Sequence, residues 1–342
     1  MTNLRNIKMS QNNIRGTLPS EYSTMTLLKL FGCQYCNITG ALPSSWSTMR
    51  EIWRLELPSN RFSGSLPLSW SIFTALEYLS LSDYEHKRPS LTGTLPAGWS
   101  NMLALQQLLI DGNRIVGTLP QAWGAMDNLT QLDLSFNELT GSLAIGFSPL
   151  QSLTSLILND NLLSGSLPPE WSTTYLYGEV YNSYTVFLAN NRLTGTLPAE
   201  WGARNVPTDR GQVQGITMDV SGNAITGTIP DSWSHLANLK SLDLSKNLLS
   251  GTLPHSFSTI QVMTDMNLQD NTALAGDLPM EWSTMTSIVM INLTNTSVPC
   301  STLEQYDLDD PEDTWMYPQM LAVSHTIWFT ECNDQALINE AG

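Results

Sequence analysis

Residues 129–141 read LTQLDLSFNELTG, and this stretch decides the fold. Apolar residues alternate at Leu132 and Leu134, as in a short strand that buries one face. Asn137 follows three residues later, where a side-chain amide can satisfy backbone groups that would otherwise be buried and unpaired. Gly141 then permits a tight turn, because glycine tolerates backbone angles that exclude other residues. The stretch therefore predicts one coil of a repeat.

The same pattern recurs along almost the whole chain, mostly at intervals of 24 residues. A twelfth, degenerate copy runs from Ile288 through Ile291 and Leu293 to Val298. Such a period is typical of a solenoid, in which each coil buries its apolar face only against its neighbours. We predict an α/β-type repeat solenoid over residues 1–299, a right-handed superhelix with a parallel concave β-sheet and short 3-10 or irregular convex segments. The first eleven copies carry the glycines Gly16, Gly40, Gly64, Gly93, Gly117, Gly141, Gly165, Gly195, Gly227, Gly251 and Gly276.

An aromatic residue follows three positions after the proline position of each of these copies. The column could form a ladder on which sugars stack, or it could fill the interior behind the convex side. Because a repeat must bury its apolar face against neighbouring coils, we expect the column to be core. Its members are Tyr22, Trp46, Trp70, Trp99, Trp123, Phe147, Trp171, Trp201, Trp233, Phe257 and Trp282.

The repeat resembles the plant-type leucine-rich repeat of receptor ectodomains and polygalacturonase-inhibitor proteins. Where that pattern usually has a leucine, this chain has a tryptophan, as in LPSSWSTM (42–49) and LPMEWSTM (278–285). This cadence is similar to the surface antigens and proteophosphoglycans of trypanosomatid parasites. The resemblance covers residues 4 to about 299 and implies a cell-surface or shed glycoprotein engaged in adhesion or host interaction. It transfers no catalytic residue, and function must be argued from sites rather than from the fold.

The charge balance limits the kinds of partner. The chain has 15 Lys and Arg residues against 31 Asp and Glu residues, a formal net charge of −16. Nucleic acid is therefore not expected as a partner, because binding phosphates requires a basic surface. No stretch approaches the roughly 20 apolar residues of a membrane span. Membrane attachment is thus not visible in this chain, and the resemblance places it outside the cell or on its surface, with the N-terminal cap and export signal expected upstream.

The four cysteines fall into two pairs. The C-x-x-C spacing of Cys33 and Cys36 is also found in redox and zinc sites. In the repeat register, Cys33 replaces a strand leucine and Cys36 replaces the asparagine, so both are expected to be buried free thiols. Cys300 and Cys332 bracket the segment after the last copy, and we expect a disulfide between them in a C-terminal cap, residues 300–342.

Two further sets of residues bear on chemistry. Sequons for N-glycosylation occur at Asn37, Asn128, Asn292 and Asn295, and the first two fall on outward positions of the repeat. The four histidines lie in unrelated registers, so the pattern predicts neither a metal site nor a catalytic triad. We expect a protein that is not an enzyme and has no cofactor.

The outward positions of the predicted concave sheet carry aromatic and acidic side chains. Exposed aromatics among polar residues are typical of a recognition surface, although a solvated acidic sheet with scattered aromatics gives the same pattern. The remaining acidic positions are Asp83, Asp111, Asp160, Asp219, Asp243, Asp265 and Asp270. The candidate ligand-binding residues are Tyr35, Trp53, Glu56, Tyr78, Asp133, Phe136, Tyr184 and Phe187.

Three copies are lengthened, at residues 82–92, 172–183 and 202–214, and insertions in repeat arrays often carry function. We expect an extracellular or cell-surface recognition protein that binds a protein or glycan through the concave sheet. One alternative is a structural surface coat glycoprotein without a specific ligand. The other is an inhibitor of a secreted enzyme, as the resemblance to the plant inhibitors implies.

Overall fold

The computed structural model describes residues 2–83, 90–173, 183–202 and 215–299. The chain divides into two compact units. Unit 1 comprises Met1–Gly178 and Thr185–Asn191, and unit 2 comprises Glu179–Tyr184 and Arg192–Gly342. The predicted cap, residues 300–342, lies outside the described residues.

Unit 1 contains a row of short parallel strands, one from each coil. Four neighbouring strands pair in register at their central leucines, Leu79, Leu108, Leu132 and Leu156. These leucines are fully or almost fully buried, whereas the strand residues on either side of them point away from the core. The surface that those outward residues form is called the strand face below. The strands are β1 (Asn6–Lys8), β2 (Leu30–Gly32), β3 (Arg54–Glu56), β4 (Tyr78–Ser80), β5 (Gln107–Leu109), β6 (Gln131–Asp133), β7 (Ser155–Ile157) and β8 (Tyr184–Phe187), of which all but Tyr184 belong to unit 1.

Opposite the strands, each described coil of unit 1 returns through a 3-10 helix. These helices are Ser20–Thr24, Ser44–Thr48, Leu68–Ile72, Ala97–Asn101, Gln121–Ala125, Ile145–Phe147 and Pro169–Thr173. Between strand and helix run very short outer strands, at Thr39–Gly40, Arg61–Phe62, Gly64–Ser65, Leu91–Thr92, Val116–Gly117, Glu138–Leu139 and Ser164–Ser166.

Unit 2 repeats the same plan. Its parallel strands are β9 (Ile216–Asp219), β10 (Leu239–Asp243), β11 (Asp265–Asn267) and β12 (Met290–Asn292). The outer strands are Arg192–Thr194, Thr226–Gly227, Leu248–Gly251 and Ala273–Leu274, and the 3-10 helices are Ala199–Gly202, Asp231–His235, His255–Thr259 and Met280–Thr284. Parallel strands with 3-10 return segments confirm the predicted leucine-rich-repeat solenoid.

The repeat asparagine ties neighbouring coils together. Asn137 Nδ2 donates hydrogen bonds to the carbonyl oxygens of Ile110, at 3.0 Å, Leu134, at 3.0 Å, and Ser135, at 3.1 Å. Its Oδ1 accepts a hydrogen bond from the backbone N–H of Ile115 at 3.0 Å. One side chain thus satisfies four backbone groups, and two of them belong to the preceding coil. This confirms the role that the sequence predicts for the asparagine.

Asn137→Ala is expected to lower the free energy of unfolding by about 1–3 kcal/mol, because it leaves the Ile115 N–H without its partner and removes one donor from each of three carbonyls. The urea midpoint of the full chain measures this loss. Asn128→Ala is the control, since the exposed Asn128 makes one hydrogen bond, to the Leu103 carbonyl. Equal urea midpoints for the two variants would show that the hydrogen bonds of Asn137 do not stabilise the contact between coils.

The aromatic column lies in the core, as predicted. All its tryptophans and both phenylalanines are at most 1% exposed, while Tyr22 is half-buried. The indole N–H of Trp123 donates to the Pro96 carbonyl of the preceding coil at 3.1 Å, and Trp99 bonds Pro67 in the same way. A leucine could fill this space but could not donate. The tryptophan that replaces the usual leucine therefore adds a hydrogen bond between coils.

Candidate functional site

Two aromatic residues of unit 1 stand at the turn that follows a strand. Tyr35 is 40% exposed and Phe136 is 47% exposed. Both have left-handed backbone conformations, with φ of 54° and 53°. Such angles are unfavourable for bulky residues and are usually taken by glycine or asparagine. The same conformation recurs before the repeat asparagine at Ser59, Asp160 and Lys246, so it belongs to the turn of the repeat. The exposure shows that each aromatic ring lies beside the strand face and outside the core.

A second group of aromatic and charged residues lies on β3 and β4. Trp53, just before β3, is 37% exposed. Arg54 forms an ion pair with Glu56, with 2.7 Å between Nε and Oε1. The Arg54 guanidinium also stacks on the Tyr78 ring, 3.9 Å from its centroid. The sequence predicted Trp53, Glu56 and Tyr78 as site residues but not Arg54, which joins two of them.

Asp133 and Phe187 are half-buried on the strand face of unit 1. The Ser135 backbone N–H and hydroxyl both donate to Asp133 Oδ1, at 3.0 and 2.7 Å. Burial raises the pKa of Asp133 above its ordinary value, while the two hydrogen bonds from Ser135 oppose the shift. The structure thus places a carboxylate in a partly dehydrated setting.

Two residues predicted to face outward are buried instead. Tyr184 is 6% exposed. The strand β8 begins at Tyr184 itself, so its alternation puts Tyr184 on the same side as the buried Val186. Trp53 precedes β3 at the corresponding position and is nevertheless 37% exposed. Asp83, predicted to face outward as part of the acidic surface, is also buried, at 5% exposed.

The expectation of free thiols at Cys33 and Cys36 is wrong, because the two residues form a disulfide. The chain does not stay extended between them. Strand β2 ends at Gly32, and Tyr35 has positive φ, so the turn brings the two Cα atoms to 5.7 Å. Both cysteines are fully buried. Cys300 and Cys332, the other predicted pair, lie outside the described residues.

The sequons have different surroundings. Asn37 and Asn128 are exposed, as their register predicts. Asn292 lies half-buried on β12, where its Nδ2 donates to Gln269 Oε1 at 3.0 Å. Asn295 is exposed and donates to Asp270 Oδ1 at 2.8 Å. Glycosylation at all four sites stays a prediction.

Other predicted features have little or no described structure. The inserted parts of the three lengthened copies, residues 84–89, 174–182 and 203–214, lie outside the described residues. Within the described part of the chain, no group of three or more potential metal ligands occurs. In that same part, no helix combines the length and the hydropathy of a membrane span.

Taken together, the described residues define a repeat solenoid with aromatic and acidic side chains on its strand face. By fold the chain is a leucine-rich-repeat solenoid, and a family model described as leucine rich repeat matches residues 104–163 and 217–272. A comparison with curated proteins finds no match.

Among solved structures, the chain is similar to the plant peptide hormone receptor RGFR1 in complex with RGF2, with 27% identity and a TM-score of 0.73 over 93% of this chain. It is similar to a TDR receptor, with 28% identity and a TM-score of 0.64 over 86% of this chain. The chain spans only 50% and 56% of the lengths of these two receptors. A leucine-rich-repeat protein of Leptospira interrogans shares the fold, with 21% identity, a TM-score of 0.55 and coverage of 95% of this chain and 84% of that one.

Proposed function

We propose that this chain is a recognition module without enzymatic activity, which binds a peptide or a protein segment on the strand face of unit 1. The exposed aromatic residues at the border of that face carry the proposal. Trp53 and Phe136 are 37% and 47% exposed. Large aromatic side chains that burial does not explain are the usual anchors of a binding surface.

The similar solved structures support a peptide or protein as the partner. One of them is a plant peptide hormone receptor in complex with RGF2. Aromatic rings can also stack on sugars, and a glycan is the alternative partner. A glycan array on the same variants as below distinguishes the two.

We further propose that the chain works outside the cell or on its surface, as an adhesion protein or surface antigen like those of trypanosomatids. The buried disulfide between Cys33 and Cys36 supports this location, since disulfides persist in oxidising compartments. The exposed sequons at Asn37 and Asn128 fit a glycoprotein. Peptide mass mapping of the protein from its native source tests the glycosylation.

Trp53→Ala and Phe136→Ala are expected to weaken binding by about 2 kcal/mol or more, because truncating an aromatic anchor removes most of its contact area. Binders are first selected with the immobilised full chain from a displayed library of random linear peptides. Their affinities for each variant are then measured by titration.

Leu68→Ala is the matched control. Leu68 is a large apolar residue, 64% exposed, but it lies on the 3-10 helix Leu68–Ile72 rather than on the strand face. Its variant should bind like the wild type. Binders that tolerate both aromatic substitutions would show that the strand face of unit 1 is not the site.

A further inference from the structure

Four side chains of unit 1 form a strip across neighbouring strands of the strand face. Leu109 on β5 is in register with Asp133 on β6, which is in register with Ile157 on β7. Ile157 is in turn in register with Phe187 on β8. All four are half-buried. Adjacent strands lie about 4.8 Å apart, so the strip is a carboxylate with apolar side chains on both sides.

In the part of the chain that the structure describes, the carboxylate of Asp133 accepts hydrogen bonds from its own turn and pairs with no cation. Both hydrogen bonds from Ser135 go to Oδ1. Among the described residues, no Lys, Arg or His forms an ion pair with Asp133. A partly buried charge is costly unless a counter-charge compensates it. Oδ2 is therefore available to a cationic donor from another molecule.

Asp133 also has a local role that it shares with Asp243 of unit 2. The backbone N–H of Ser245 donates to Asp243 Oδ1 at 2.9 Å, as Ser135 does to Asp133. The surroundings of the two carboxylates differ. Asp243 is in register with Asp219 and Asn267, both polar, and Asn267 Nδ2 already donates to Asp243 Oδ2 at 2.8 Å. The turn alone therefore does not account for the apolar neighbours of Asp133.

We propose that Asp133 is the anchor for an arginine or lysine side chain of the bound peptide. This rests on the proposed function and adds the chemistry of the partner. The cationic group pairs with Asp133 Oδ2. An extended peptide rises about 3.2–3.4 Å per residue. Apolar side chains within about two residues of the cationic one therefore contact Leu109, Ile157 and Phe187. A charge-assisted hydrogen bond beside apolar contacts gives both strength and orientation. The net charge of −16 favours the approach of a cationic segment.

The test compares a charged peptide with a neutral one of nearly the same shape. Peptides selected from the random library by the full chain are expected to be enriched in Arg or Lys next to apolar residues. The strongest binder is then synthesised with its arginine or with citrulline, or with lysine or acetyl-lysine. The wild-type chain should prefer the charged form about tenfold or more, as expected when a hydrogen-bonded charge pair is lost.

Two matched variants show whether Asp133 is the partner. Asp133→Asn keeps an oxygen that accepts both hydrogen bonds from Ser135, and removal of a partly buried charge is not expected to destabilise the fold. This variant should lose the preference for the charged peptide. Asp243→Asn removes the same charge from the same type of turn in unit 2 and should keep the full preference. Thermal melting of both variants confirms that they are folded.

The outcomes separate this inference from the proposed function. Phe136→Ala could weaken the binding of the selected peptides while their charged and neutral forms bind the wild-type chain with equal affinity. That result would overturn the role of Asp133 and leave the strand face as the site. A preference that survives Asp133→Asn, or that falls equally with Asp243→Asn, also overturns it. If no selected peptide responds to the aromatic substitutions, the proposed function itself is wrong.

Discussion

Trp123→Ala is expected to lower the free energy of unfolding by about 3–5 kcal/mol, the usual cost of deleting a fully buried large aromatic side chain. Trp123 is 0% exposed, and its ring stacks on Trp99 with 6.5 Å between ring centroids. Its truncation opens a cavity between coils and also removes the indole hydrogen bond to the Pro96 carbonyl, which keeps its second hydrogen bond, from the Trp99 backbone N–H. Both losses fall on one contact between neighbouring coils.

Trp123→Phe separates the two losses. A phenylalanine fills most of the space but has no N–H, so the variant should lose about 0.5–1.5 kcal/mol, the usual net contribution of one hydrogen bond. The column already accommodates phenylalanine at Phe147 and Phe257. Urea unfolding of the full chain gives both values. If Trp123→Ala unfolds at the urea midpoint of the wild type, the aromatic column is not part of the core.

The same substitution distinguishes the two aromatic sets of the molecule. Trp123→Ala should reduce stability without changing the affinity of the remaining folded protein for a selected peptide. Trp53→Ala should do the reverse, because Trp53 is 37% exposed. Sequence register alone predicted this division, since one tryptophan follows a repeat proline and the other precedes a strand.

The fold could be predicted because each coil repeats the same pattern of buried and polar residues. Leucines such as Leu132 and Leu134 recur with a period that only mutual burial of coils explains. The asparagine and the aromatic column follow from the same need to satisfy or bury groups between coils. A single chain with eleven clear copies therefore carries much of the information that an alignment would supply.

The errors concern local backbone geometry that the repeat pattern does not show directly. The interpretation of Cys33 and Cys36 assumed a straight strand, whereas the positive φ of Tyr35 turns the chain and brings them together. Tyr184 is buried because the alternation of β8 begins at Tyr184, whereas in the preceding strand, β7, it begins one residue later in register, at Ser155. The hydrogen bond from Asn60 Nδ2 to the Leu57 carbonyl, three residues back, shows the same turn in the next coil.

The candidate site was predicted only in part. The positions of the aromatic and acidic residues of the strand face could be found by counting back along the sequence from each repeat glycine. Leu109 and Ile157 were missed, because a leucine or isoleucine in a strand resembles core in any sequence pattern. Their register beside Asp133 becomes visible only once the strands are paired. Arg54 was missed because its stacking on Tyr78 joins residues of neighbouring coils.

A second large effect is expected from a glycine that the sequence does not single out. Gly124 is the next-to-last residue of the 3-10 helix Gln121–Ala125, at a position where most other copies have serine. A Cβ atom built on Gly124 would lie 1.7 Å from the Gly146 carbonyl oxygen and 2.8 Å from its carbon. Conversely, a Cβ on Gly146 would lie 2.5 Å from the Gln121 carbonyl oxygen. Backbone thus meets backbone between these two coils, and no side chain can move aside.

Gly124→Ala is therefore expected to cost at least about 3 kcal/mol, the upper end of the usual range for overpacking, because the coils themselves must separate. Ser100→Ala, at the same register one coil earlier, is the control and should change the urea midpoint little. If Gly124→Ala unfolds at the same urea concentration as Ser100→Ala, these two coils are not in close contact. Because the clash lies on the helix side, the folded fraction of the variant should still bind a selected peptide with wild-type affinity on the strand face.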